Sequence, residues 1–418
     1  MELIQGLNDL VAVALVAALA PLVVAVLPGP RIPQVVILLL GGVLIGPHVL
    51  GLAETSSIRL LANIGLGFLF LLAGYELDPQ LLRQRPGELA ILGWVISAVV
   101  AVGVAGALTA AGYIRDYVPV GLALTTTALG TLLPILRDND MLGGQFGRCV
   151  LAAGAVGELF PILIIAVFLT KRGHFIALAS VALVGVLAIA LSAAPWLARS
   201  SAVQRIIREG QDSTGQTMLR WAVVLLFILL AFASRFGLDV VLGALLAGIV
   251  LRVWTRRLNM DIVSLEHKFD AVGYGIFIPI FFVSSGMSLD LKAISRDPLR
   301  LLVFFLMLLI VRGLPSLLVY RRALPARQRV EMTFITATTL PLLIALADIG
   351  QQDGVMLPAT AAALVGAGVL SVLVYPLIAV RLHRSAALTP ADVGIAAAGS
   401  AAATGASADV QGPHDQGG

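Results

Sequence analysis

Cysteine is nearly missing from this chain. Cys149 stands alone, which excludes an internal disulfide and any cysteine-based metal site. The five histidines are scattered, with no ligand spacing among them. His-Glu-x-x-His, a Ser-Lys or Ser-His pair and paired catalytic aspartates are missing too, so neither an enzyme nor a cofactor is expected. Charge is scarce, at 12% of residues, and a net excess of four positive charges gives no reason to expect nucleic acid as a partner. What remains is apolar: 59% of the 418 residues are hydrophobic and mean hydropathy is +0.99. That balance describes an all-α polytopic membrane protein with the lipid bilayer as its solvent. The start, Met-Glu-Leu-Ile, has no basic flank and leads into an apolar segment longer than twenty residues, so no cleaved leader is expected.

By the length rule the chain holds about 13 spans, centred near residues 17, 41, 67, 100, 127, 159, 185, 227, 246, 278, 310, 338 and 369. The longest internal connection, about 198–216, carries Arg199, Arg205 and Arg208 and could include a surface helix. After about Thr389 the composition turns to Ala, Gly, Ser and Asp without periodicity, and residues 388–418 are expected to be a disordered tail. Connections on one side hold about nineteen basic residues against about eight on the other. The chain is therefore expected in the plasma membrane with its N-terminus outside and its C-terminus in the cytoplasm.

The sequence also repeats itself. FLFLLAGYELD at Phe68–Asp78 is echoed by IFFVSSGMSLD at Ile280–Asp290, and TTTAL at Thr125–Leu129 by TATTL at Thr336–Leu340. Weaker echoes join Gly154–Pro161 to Gly368–Pro376 and Leu40–Gly46 to Leu245–Val250. The offsets stay within about 206 to 215 residues, or seven spans. An odd number of spans inverts the second copy, which is the plan of secondary transporters. The expected division is a first repeat over 1–173, a linker helix and loop over 174–216, and a second repeat over 217–387.

One carboxylate stands out. Glu158 is the only charge in the apolar run from about Cys149 to Leu169, roughly 15 Å from either end and so near the bilayer midplane. An ionised group there costs several kcal/mol, so a chain that keeps one usually uses it. Ala153, Gly154, Ala155 and Gly157 precede it and leave room for backbone or an ion. TTTAL and TATTL fall mid-span, and prolines follow both, at Pro134 and Pro341. Both stretches therefore read as helices broken inside the membrane, where unwound backbone must line a cavity or be buried in protein. Thr125, Thr126 and Thr127 are expected in the cation's shell with Glu158, and Thr338 and Thr339 on the partner stretch. Arg312 also lies mid-span, and a buried guanidinium needs a partner. Glu158 and Glu76 are the candidates; Glu76 is expected to compensate Arg312 and leave Glu158 free.

PQVVILLLGGVLIGP at Pro33–Pro47, GFLFLLAGYELDP, VLGALLAGIVL and PIFFVSSGMSLDL together resemble the cation:proton antiporter superfamily. Within it they most resemble the monovalent cation:proton antiporter-2 family of sodium/proton and potassium/proton exchangers. The likeness runs from roughly Leu7 to Leu382. It implies a homodimer, a mobile six-helix core in which spans 5 and 12 cross, an acidic ion site on span 6 and a basic residue on span 11. Glu158 and Arg312 occupy those two positions. Where relatives commonly carry Asp-Asp, Asn-Asp or Gln-Asp, this chain has Gly157-Glu158. The expected activity is exchange of protons for Na+ or another small monovalent cation at Glu158, electroneutral at one for one. K+/H+ exchange and a non-transporting membrane sensor on the same fold are the alternatives.

Overall fold

The computed structural model describes residues 2–26, 33–77, 79–115, 117–168, 174–193, 216–258, 262–289 and 291–387. The expected surface helix within 198–216 and the tail over 388–418 lie outside the described residues, apart from Gln216. All regular structure among the described residues is helical. Ten helices there are long and apolar enough to cross a membrane.

The helices that place the site are α1 (Glu2–Val26), α2 (Gln34–Ile45), α3 (Thr55–Glu76), α4 (Arg85–Ala110), α5 (Tyr117–Leu124), α6 (Leu129–Arg137) and α7 (Gly144–Phe168). They continue with α8 (His174–Ser192), α9 (Thr217–Arg235) and α10 (Val240–Arg257). Next, α11 runs through Ile262–Val272, a π turn at Gly273–Phe277 and Ile278–Met287. The following helix, α12, runs through Pro298–Leu308, a second π turn at Leu309–Gly313 and Pro315–Val319. The last helices described are α13 (Ala326–Ala337), α14 (Pro341–Gln352) and α15 (Pro358–Ala387). Local chemistry sets several of these boundaries. Asp239 caps α10 by accepting the Val241 amide at 2.8 Å, and Asp297 caps α12 by accepting that of Arg300. Pro298, Pro341 and Pro358 open their helices, where a missing N–H costs nothing. Gly112 closes α4 with φ of 71°, a conformation a β-carbon would strain.

Packing divides the helices into two bodies. In the first, α3 packs on α10 and α11, α2 on α11, and α9 on α10. Glycines let the backbones meet: a β-carbon on Gly74 would strike the Leu245 carbonyl, and one on Gly248 the Leu71 carbonyl. In the second body α4 packs on α7, while α13 and α14 pack on α15. Many large apolar side chains face outward, including Leu7, Val11, Leu15 and Leu22 of α1 and Phe175, Ile176, Val186 and Ile189 of α8. In water that surface would be costly; in lipid it is solvated.

Candidate ion site at the crossing of two broken helices

The two threonine stretches are the breaks. Between α5 and α6 the helix is interrupted over Thr126–Ala128, and between α13 and α14 over Thr338–Leu340. They lie against each other: the Ala128 amide donates to the Thr338 carbonyl at 2.9 Å. The Thr127 hydroxyl donates to the Thr336 carbonyl at 2.7 Å, and the Thr126 and Thr339 hydroxyls share a bond of 2.6 Å. Breaking a helix frees backbone groups that must find partners away from water. The Thr127 amide finds one in the Gly157 carbonyl of α7 at 3.1 Å. All five of these threonines are essentially buried.

Glu158 faces the first break from α7. Its Oε1 accepts the Leu129 amide at 2.8 Å, at the start of α6. A carboxylate there meets the partial positive charge of a helix N-terminus. Its other oxygen, Oε2, is buried and has no hydrogen-bond partner among the described residues. The nearby hydroxyl protons are spent elsewhere, Thr125 donating to the Leu122 carbonyl and Thr127 to that of Thr336. Their oxygens remain acceptors, and that of Thr127 already takes one hydrogen bond from Arg312.

At the second break the chemistry changes. Ser371 of α15, 213 positions after Glu158, accepts the Thr339 amide at 3.1 Å. Its hydroxyl lies 2.8 Å from both the Thr339 and Gly368 carbonyls. Sequence reasoning missed this residue; the echo offsets carry Glu158 only to its neighbourhood on α15.

Arg312 corrects one expectation. Its Nε donates to the Thr127 hydroxyl and its Nη2 to the Ala153 carbonyl, both at 2.9 Å. No hydrogen bond joins it to Glu76 or to Glu158. Glu76 ends α3 and lines a cavity of about 50 Å³ with Arg137, Glu266, Asp270 and Tyr274, whereas Arg312 sits in the π turn beside the crossing. The guanidinium is instead satisfied by oxygens of Thr127 and Ala153. Gly157 makes room for the guanidinium: a β-carbon there would lie 2.7 Å from Nη2 and from Thr127.

A second cavity, of about 560 Å³, opens at the other end of the bundle. Arg59 and Asn63 of α3, Ser284 and Ser288 of α11, and Asp348 and Gln351 of α14 are among its polar lining. It lies between the two bodies, since α3 and α11 belong to the first and α14 to the second.

The comparisons with known proteins agree with this architecture. The chain is 26% identical over 394 residues to YjbQ of Bacillus subtilis, named for Na(+)/H(+) antiport, covering 90% of this chain and 63% of that protein. It is 24% identical over 339 residues to "Probable Na(+)/H(+) antiporter 3" of Methanocaldococcus jannaschii, covering 78% of this chain and 84% of that one. A glutathione-regulated potassium-efflux system protein, KefC of Salmonella schwarzengrund, is 27% identical over 83% of this chain and 56% of its own. The chain thus spans less than two thirds of YjbQ and of KefC. Among solved structures, the sodium proton antiporter MjNhaP1 of Methanocaldococcus jannaschii superposes with a TM-score of 0.62. That match has 19% identity over 93% of this chain and 98% of the other, and shows the shared fold. The family profile described as "Sodium/hydrogen exchanger, transmembrane" matches residues 11–383, so the chain belongs to the sodium/hydrogen exchanger family.

Proposed function

We propose that the chain is a secondary antiporter exchanging protons for Na+, or for K+, by alternating access. The observation that carries this is the Glu158 carboxylate: one oxygen is held by the first turn of α6 and the other is buried with no hydrogen-bond partner among the described residues. A proton or a monovalent cation completes it, and the two compete. Thr125, Thr126, Thr127 and the unwound backbone supply the remaining oxygens, with Thr338 and Thr339 fixing the crossing. The empty, ionised carboxylate resists a low-dielectric barrier; the neutralised one passes. The second body, moving against the first, carries the site from one face to the other.

In this reading helices α1–α7 and α9–α15 are the two inverted repeats, with α8 as the link. The basic side is cytoplasmic, with the N-terminus outside. The 560 Å³ cavity then opens outward, and the chain works as a homodimer in the plasma membrane. Neither a proton nor a monovalent cation leaves net charge on a single carboxylate, so one H+ exchanges for one cation and no charge moves. Arg312 keeps its neutral oxygen partners throughout and does not enter the count.

The test uses the purified protein in proteoliposomes, with cation-driven pH change read at a membrane potential clamped in steps. Na+ and K+ are run separately, because relatives named for both match this chain. Exchange at a rate independent of potential is the expected result. A rate that climbs with potential would overturn the one-for-one count, and no cation-dependent proton flux would overturn the antiporter reading. Competition at one group adds a signature: tenfold more cation moves the acid limb of the pH profile by up to about one unit.

A further inference from the structure

Tyr274 has no part in the site described so far, yet it connects the two bodies. It belongs to the π turn Gly273–Phe277 of α11, a distortion that often marks functional positions. That turn is held firmly on the first body. Phe277 stacks on Phe68 of α3 with centroids 4.9 Å apart and planes at 8°. Gly65 of α3 meets the Phe277 carbonyl so closely that a β-carbon would collide with it. From this fixed turn the Tyr274 hydroxyl donates to the Gly130 carbonyl of α6, at 3.2 Å; α6 packs on α7 and α15 of the second body as well as on α3. Gly130 follows Leu129, whose amide holds Glu158.

On the other side of Tyr274 is the 50 Å³ cavity. Three carboxylates, Glu76, Glu266 and Asp270, line it with one cation, Arg137, and the Glu76 Oε2 is buried without a hydrogen-bond partner among the described residues. Tyr274 thus stands between the first turn of α6, where Glu158 is held, and an acidic chamber at the end of the bundle where α3 and α6 terminate. By the distribution of basic residues that end is cytoplasmic.

We propose that Tyr274 is the plug of the cytoplasmic pathway, a positioning residue whose bond to Gly130 holds the transporter closed on that face and must break for Glu158 to reach the acidic chamber. The inference rests on the antiporter reading above. Its geometry is suited to a gate because the donor is fixed to one body and the acceptor to the other, so relative motion of the two cannot leave the bond intact. A single neutral hydrogen bond is also weak enough to open at each turnover.

Tyr274→Phe tests it. Losing one such bond favours the cytoplasm-open state by up to about fivefold. The half-saturating cation concentration measured from the cytoplasmic face should therefore fall by up to about that factor, while the one measured from the outer face rises. A side chain that only filled space would move both in the same direction. A second measurement does not depend on transport. With Cys149→Ser as background, Leu133→Cys places one thiol on the chamber wall. A membrane-impermeant maleimide should then label it faster from the cytoplasmic face once Tyr274→Phe is added. Parallel shifts or none, with unchanged labelling, overturn the plug. If the wild type shows no cation-dependent proton flux the antiporter reading fails instead, and the labelling still decides whether Tyr274 closes the chamber.

Discussion

The two breaks in the helices have the same backbone form and different chemistry. At the second, one neutral serine hydroxyl contacts both the amide and the carbonyl of Thr339. At the first, the group on the neighbouring helix is a carboxylate with one oxygen unpartnered among the described residues. A neutral cap can only hold a helix end. A carboxylate at the same position holds the end and, in the proposed reading, also binds a proton or a cation. In that reading the crossing couples a structural half to a chemical half, and Glu158 is the one carboxylate that carries the exchange.

Several substitutions break or sharpen that contrast. The largest stability loss is expected for Arg312→Ala. It removes two charge-assisted hydrogen bonds that tie α12 to Thr127 and to α7, about 3 kcal/mol in all. Thermal unfolding in detergent should show a clear drop in midpoint. A cycle combining it with Glu76→Ala should show additivity, because the two side chains share no contact; coupling above about 0.5 kcal/mol would restore their pairing. Gly157→Ala comes next. Its methyl group falls on Arg312 Nη2 and Thr127, and overpacking of this kind costs about 1–3 kcal/mol. Transport should fall with it, since Thr127 borders the site; an unchanged midpoint and rate would show that the guanidinium has room to move. Ser371→Ala should destabilise by about 1–2 kcal/mol yet keep maximal exchange within about twofold, as it leaves Thr339 short of a partner but removes no charge. Thr126→Val, which deletes the bridge to Thr339, should cost about 1 kcal/mol and act more on cation affinity than on rate.

Much of this contrast was legible in the sequence. An all-helical membrane fold follows from the apolar runs, and Glu158 stands out because one charge in such a run is expensive. The paired threonine stretches revealed themselves by recurring at a fixed offset, and both coincide with interruptions of helix. Ser371 was harder to see. The offset drifts by several residues, and a serine in an apolar helix has many ordinary uses. Arg312 was assigned a carboxylate partner because isolated guanidinium is costly to bury. The structure gives it carbonyl and hydroxyl oxygens instead, which no pattern in the sequence encodes. Tyr274 gave no signal at all, because its meaning depends on α11 packing beside α6, a contact between residues 144 positions apart.

The most direct test of the contrast is a paired measurement of cation-driven proton flux for Glu158→Gln and Ser371→Ala, in proteoliposomes matched for folded protein. Glu158→Gln keeps the size of the side chain and an oxygen for the Leu129 amide, but cannot release or bind a proton. The account predicts flux at the level of empty liposomes for Glu158→Gln and near-normal flux for Ser371→Ala. Near-normal flux in Glu158→Gln, or equal loss in both variants, would contradict it.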